Sequence, residues 1–184
     1  MPEETRKPSA FVEYLTSLTP EKDRGTLAVL RRGLASPPGQ DINMYRYVAR
    51  FVVDELHGTW AEKVHFLVAA LYGFHPVSTD EAGNFGSHMA AAARQMPDAA
   101  STERRFTLLL NADRDDLADY LRQAISFIKS KDVPVNWGTL FTDLKYWEAP
   151  GRPVQQRWAK AFWAYQKPDD TKNDQSKMTT EEEK

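Results

Sequence analysis

Apolar residues along this chain recur three and four positions apart far more often than they alternate, the spacing of helices with one buried face. Phe11, Tyr14, Leu15 and Leu18 predict a short amphipathic helix over 9–18, and Thr19-Pro20 supplies a cap and a helix-compatible proline for the next. That second helix ends near Gly33-Leu34 and buries Leu27, Leu30 and Leu34. After the loop Ser36-Pro-Pro-Gly39, residues 41–57 read as one helix with Met44, Val48, Phe51, Val52 and Leu56 inward. Arg46 and Arg50 fall on another of its faces, and Gly58 stops it. Trp60 to Phe74 is apolar almost all round, which marks the most buried helix, and His75-Pro76 ends it.

The second half continues the pattern. Asn84-Phe85-Gly86 opens a helix with Phe85, Met89 and Met96 at core spacing, ended by Pro97. Ser101-Thr102 caps a helix containing Phe106, Leu109 and Leu110, and Asp113 caps the helix that enters Leu121. In that helix Leu121, Ile125 and Ile128 face inward, while Arg122, Ser126 and Lys129 form a polar stripe. Asn136 is the expected cap of a helix opening at Trp137, because its side-chain oxygen can accept from the first free amides. Glu148-Ala-Pro-Gly breaks the chain before a last helix from about Arg152. Val154, Trp158, Ala161, Phe162 and Tyr165 share its inner stripe; Arg152, Gln156, Lys160 and Trp163 lie opposite. No run alternates like a strand. The expected fold is all-α, a bundle of about eight or nine helices, with a subdomain boundary near Pro97 dividing 9–97 from 98–165. The stretch 166–184 has no core-forming residue except Met178 and is expected to be disordered.

Composition narrows the function classes. A chain of 184 residues can bury a real core, and no 18-residue apolar run exists to span a membrane. The first residues, MPEETRKPSAF, lack the apolar stretch of a secretory signal, and with no cysteine a cytoplasmic setting is expected. Net charge is −2, so a nucleic-acid footprint has to be a local patch. Residues 94–165 hold eleven basic and nine acidic side chains, a slight positive excess. The stripe Arg152, Gln156, Lys160 and Trp163 suits a nucleic-acid backbone, though a solvated helix face has the same composition.

Catalytic chemistry finds little support. Asp54-x-x-His57 and Glu62-x-x-His65 resemble the carboxylate-x-x-histidine units of di-iron bundles, but Gly58 separates them and no further glutamates face them. His75 and His88 read as structural. There is no nucleophile elbow, phosphate-cradling glycine loop or zinc-protease pair, so neither a cofactor nor a metal is expected.

Several segments together resemble one family. They are Asp23-Arg-Gly25 with Leu30-Arg-Arg-Gly33, Gly83-Asn-Phe-Gly86, Glu103-Arg-Arg-Phe106 followed by Asn111-Ala-Asp113, and Leu121-Arg-Gln123. The run Val133-Pro-Val-Asn-Trp137, Asp143-Leu144, Trp147, Val154-Gln155, Trp158-Ala159 and Phe162-Trp163 completes the set. In this order they resemble CasB, the small subunit of the type I-E CRISPR surveillance complex, Cascade, over roughly residues 10–165. The resemblance implies an all-helical protein without catalytic activity, paired with a second copy of itself and bound to other Cascade subunits. It implies contacts with the backbone of guide RNA, target DNA and the displaced strand. Position by position, the expected carriers are Arg31, Arg32, Arg104, Arg105 and Arg122. Arg24, Lys129, Lys131, Arg152, Arg157 and Lys160 form a second tier, in which some side chains are expected to be surface charges or subunit contacts. Arg104 and Arg105 point about 100° apart on a helix, so one of them is expected to pair with Asp113 or Asp116. The rival reading is a helical scaffold that touches only proteins, anchored by Trp163 and the Trp147 region.

Overall fold

The computed structural model describes residues 9–96 and 99–164; the expected boundary at Pro97 and the tail 166–184 lie outside them. Nine α-helices carry the described residues, with an isolated parallel bridge between Ser78 and Val135 and no strand among them. They are α1 Ala10–Ser17, α2 Arg24–Arg32, α3 Tyr45–Val48, α4 Trp60–Phe74, α5 Phe85–Ala93, α6 Ala99–Asn111, α7 Arg114–Lys129, α8 Trp137–Lys145 and α9 Pro153–Ala164. The all-α expectation is met. None of these helices is long and apolar enough to cross a membrane.

The central helix is α4, buried from Val64 to Gly73. Thr59 caps it by accepting from the Glu62 amide, and α2, α7 and α8 pack around it. At Gly73 the backbone of α2 comes so close that an added Cβ would stand 2.7 Å from the Arg31 nitrogen. At Gly86 it would penetrate the Trp158 carbonyl, because α5 and α9 cross there in direct backbone contact. Asn84 and Ser87 close a reciprocal capping box on α5, and Asn136 caps α8 at Thr139 as its sequence predicts.

Several polar groups inside the bundle have partners across it, while Gln155 Oε1 is buried without one among the described residues. His75 Nε2 donates to the Val133 carbonyl at 2.8 Å, and the Asn136 amide donates to His88 Nε2 at 3.1 Å. All five indole N–H groups donate: Trp60 to Leu144 O, Trp137 to Val77 O, Trp147 to Ala112 O, Trp158 to Asp143 and Trp163 to Glu103. This satisfies the polar edge of a ring whose body is a large apolar payload.

Three element boundaries differ from the sequence reading. Residues 41–57 are not one helix: short 3-10 turns at Ile42–Met44, Ala49–Phe51 and Asp54–Leu56 flank the single α turn of α3, and Val52 is extended. The inward placement of Met44, Val48 and Val52 is real, but a spacing of four does not stay on one face of a 3-10 turn, which repeats about every three residues. The succession of 3-10 turn, single α turn and extended Val52 brings the three inward. The second helix starts at Arg24, not after Pro20, because Thr19–Asp23 closes a turn in which the Thr19 amide donates to Asp23 at 3.0 Å. The sixth starts at Ala99, which puts Ser101 and Thr102 inside it, Thr102 buried.

Candidate nucleic-acid interface

The eleven basic candidates separate by what their side chains already hold. Arg31 and Arg32 stand exposed in the last turn of α2, and Arg24 stands exposed in its first. Arg122, on α7, lines a cleft of about 240 Å³ together with the Gly33 turn that follows Arg31 and Arg32, the Pro37-Pro38 loop, Ala118 and Asp119. Its guanidinium lies 3.4 Å from Asp119 in a pair exposed on both sides, which water screens and a phosphate can displace. Arg104 and Arg105 are both exposed on α6. Neither pairs with Asp113, whose carboxylate caps α7 by accepting from the Asp115 and Asp116 amides, nor with Asp116. The expected helix-bridging pair is therefore absent among the described residues. Lys160 is exposed on α9, one turn from Trp163, whose indole reaches Glu103 of α6 at 3.0 Å. The exposed candidates thus fall into two groups by element: Arg31 and Arg32 at the end of α2 with Arg122 on α7 at the cleft bordered by the Gly33 turn, and Arg104, Arg105 and Lys160 on α6 and α9, which pack together.

Other candidates are occupied by the protein itself. Lys129 Nζ donates to the Phe74 carbonyl at 2.6 Å and sits 4.3 Å over the Phe74 ring, closing the C-terminal end of α4. Arg152 donates to the Leu110 carbonyl and takes a left-handed backbone, φ 54°, at the turn into α9. Arg157 donates to Asp143 at 2.6 Å, and Trp158 Nε1 donates to the other oxygen of that carboxylate at the same distance. Asp143 is 5% exposed and Arg157 55%, so the acid depends on this arginine. Desolvation pushes the Asp143 carboxyl above the usual carboxylate range despite both donors. Lys131 differs: it is half-buried and only its backbone carbonyl is engaged, accepting from Gln95. The contacts of Lys129, Arg152 and Arg157 are holding contacts, and no spacing rule in the sequence predicts them, since each acceptor lies 14 to 55 residues away.

Trp163 is likewise not a free aromatic on the outer stripe: it packs on Phe106 and Phe162. Trp147 is fully buried, in contact with Trp158. The histidine units also resolve. His57 Nδ1 meets Glu62 at 3.1 Å on the surface, whereas His65 is buried between Phe11 and Phe141 and donates to the Ala61 carbonyl. Burial holds the His65 and His75 pKa values down.

The family model for CRISPR-associated protein Cse2 matches residues 26–163. The chain belongs to the Cse2 family. A curated Cse2 of Thermus thermophilus is 35% identical over 158 residues, covering 83% of this chain and 88% of that protein. Among solved structures, a Cse2-family protein from Thermus thermophilus superposes with a TM-score of 0.70 at 33% identity, covering 84% of this chain and 96% of that one. CasB of M. ruber gives 0.71 at 31% identity, covering 85% and 92%. A chain of a CRISPR RNA-guided surveillance complex gives 0.71 at 25% identity, covering 85% and 91%. The CasB resemblance drawn from the ordered segments thus coincides with the Cse2 family, and the match spans both exposed basic groups.

Proposed function

We propose that this chain is the small, non-catalytic, nucleic-acid-binding subunit of a type I-E CRISPR surveillance complex. It sits beside a second copy of itself and other Cascade subunits in the cytoplasm. Its exposed arginines and lysine clamp the backbone of guide RNA, target DNA and displaced strand, and so stabilise the R-loop. The observation that carries the reading is Cse2 membership over most of the chain, with a relative that is itself a chain of an RNA-guided surveillance complex. Exposed cations on rigid helices supply what backbone binding needs, because phosphate contacts position without reading sequence. In RNA-guided recognition base pairing reads the target, and protein contacts tip a nearly balanced strand exchange.

Arg31, Arg32, Arg104, Arg105, Arg122 and Lys160 are the principal carriers in this reading, with Arg24 beside them. Lys129, Arg152 and Arg157 contribute through the positions they hold, and Lys131 is a further contact with the nucleic-acid backbone. The test is target-DNA affinity of guide-loaded complex with and without this chain, at two salt concentrations. The expected result is tighter binding when it is present, with a gain that shrinks as salt rises. A chain that co-purifies without moving affinity at either salt is a protein-only scaffold, and the proposal falls.

A further inference from the structure

Two exposed arginines outside both basic groups have no carboxylate partner among the described residues. Arg50 lies 4.3 Å over the Tyr14 ring and 4.8 Å over Phe51, and Tyr14 and Phe51 are themselves stacked at 5.2 Å. Arg46 lies 4.6 Å over Tyr47 and donates to its hydroxyl. Of the acids in this segment, Asp41 accepts from Asn43 and Asp54 lies 3.6 Å from His57. The aromatic faces hold the guanidiniums in place, so little side-chain entropy is left to lose on binding.

The same segment exposes the two most accessible large aliphatic side chains among the described residues, Ile42 at 73% and Val53 at 58%. Met44, Val48 and Val52 are buried, while Ile42, Arg46, Arg50 and Val53 of the same segment are each exposed. Arginine and tyrosine are enriched at protein interfaces, and Ile42 and Val53 add exposed apolar area in the same segment. A nucleic-acid backbone would use the arginines but leave Ile42 and Val53 in water. Stacked bases would find the Tyr14 ring already covered by Arg50.

We infer that the face formed by Ile42, Arg46, Arg50 and Val53 docks an acidic, amphipathic protein segment of a neighbouring subunit. This inference rests on the proposed place of the chain in a surveillance complex. Charge complementarity sets the partner's chemistry: carboxylates for the two guanidiniums, flanked by aliphatic side chains that cover Ile42 and Val53.

The experiment reconstitutes the guide-loaded complex, bound to target DNA, with a photo-crosslinking residue in place of Ile42 and a second series at exposed Leu108 as a control position. A crosslink to an acidic segment of another protein subunit is the expected product. A crosslink to RNA or DNA overturns the inference, as does none from position 42 in a complex that assembles. In parallel, Arg46→Glu with Arg50→Glu is expected to lower retention of the chain in the complex by about ten-fold, with helicity unchanged by circular dichroism. Unchanged retention overturns the docking face alone. A wild-type chain that never joins the complex overturns the subunit reading with it.

Discussion

Arg157 and Lys160 stand one turn apart on α9 and are both exposed, yet Arg157 meets the buried Asp143 carboxylate whereas Lys160 meets no carboxylate among the described residues. Arg157→Ala leaves that acid with the Trp158 indole alone. It is expected to cost about 1 kcal/mol in a denaturant titration, discounted because the arginine is half exposed. Lys160→Ala should leave stability within about 0.5 kcal/mol and instead flatten the salt dependence of the assembled complex. His88 sets a pH dependence at the same scale. Its Nε2 must stay unprotonated to accept from the Asn136 amide, and burial pushes its pKa down to about 4. The unfolded chain therefore takes the proton first, so this contribution is complete above about pH 6.5 and is lost as pH falls toward 4. His65 and His75, held down by the same cause, add in the same direction. Denaturation midpoints at about pH 7.5 and about pH 5 should differ, and His88→Gln should narrow the difference.

Helix crossings carry a sharper prediction. Gly86→Ala drives a methyl into the Trp158 carbonyl, and Gly73→Ala drives one onto the α2 backbone at Arg31 and Leu27. Each is expected to lower stability by about 2 kcal/mol by forcing two helices apart. Gly25→Ala, in the first turn of α2 with nothing within 4 Å, should be neutral or stabilise by up to about 1 kcal/mol; urea midpoints of the three variants check the ordering. Much of this architecture was legible in the sequence. The apolar girth of 60–74 and the cap at Asn136 fall where their chemistry says they should. The stretch 41–57 misled because the four-residue spacing of Met44, Val48 and Val52 is that of an α-helix, yet the chain reaches the same burial through 3-10 turns and an extended Val52, with Tyr45 packed on Phe66 and Phe51 on Phe11. The candidate site was half legible. Where the basic side chains stand is in the sequence; which are already bonded depends on contacts such as Lys129 with Phe74 that no local spacing encodes.

Across the whole molecule a net charge of −2 coexists with two exposed basic groups, so the isolated chain should bind nucleic acid weakly and gain affinity from assembly. In assembled complex, Arg31→Ala with Arg122→Ala should lower the slope of log affinity against log salt by about one per lost phosphate contact. An unchanged slope in a folded double variant would remove that cleft from the interface. The tryptophans, finally, make this molecule report on itself in a particular way. Every indole N–H is tied to an acceptor within the bundle, and three of the rings are fully enclosed. Intrinsic fluorescence should therefore stay where it is while a strand settles on the outer cations, and redden only when water enters between the helices. An emission shift on titration with nucleic acid would signal that the bundle has opened, not that a base has stacked.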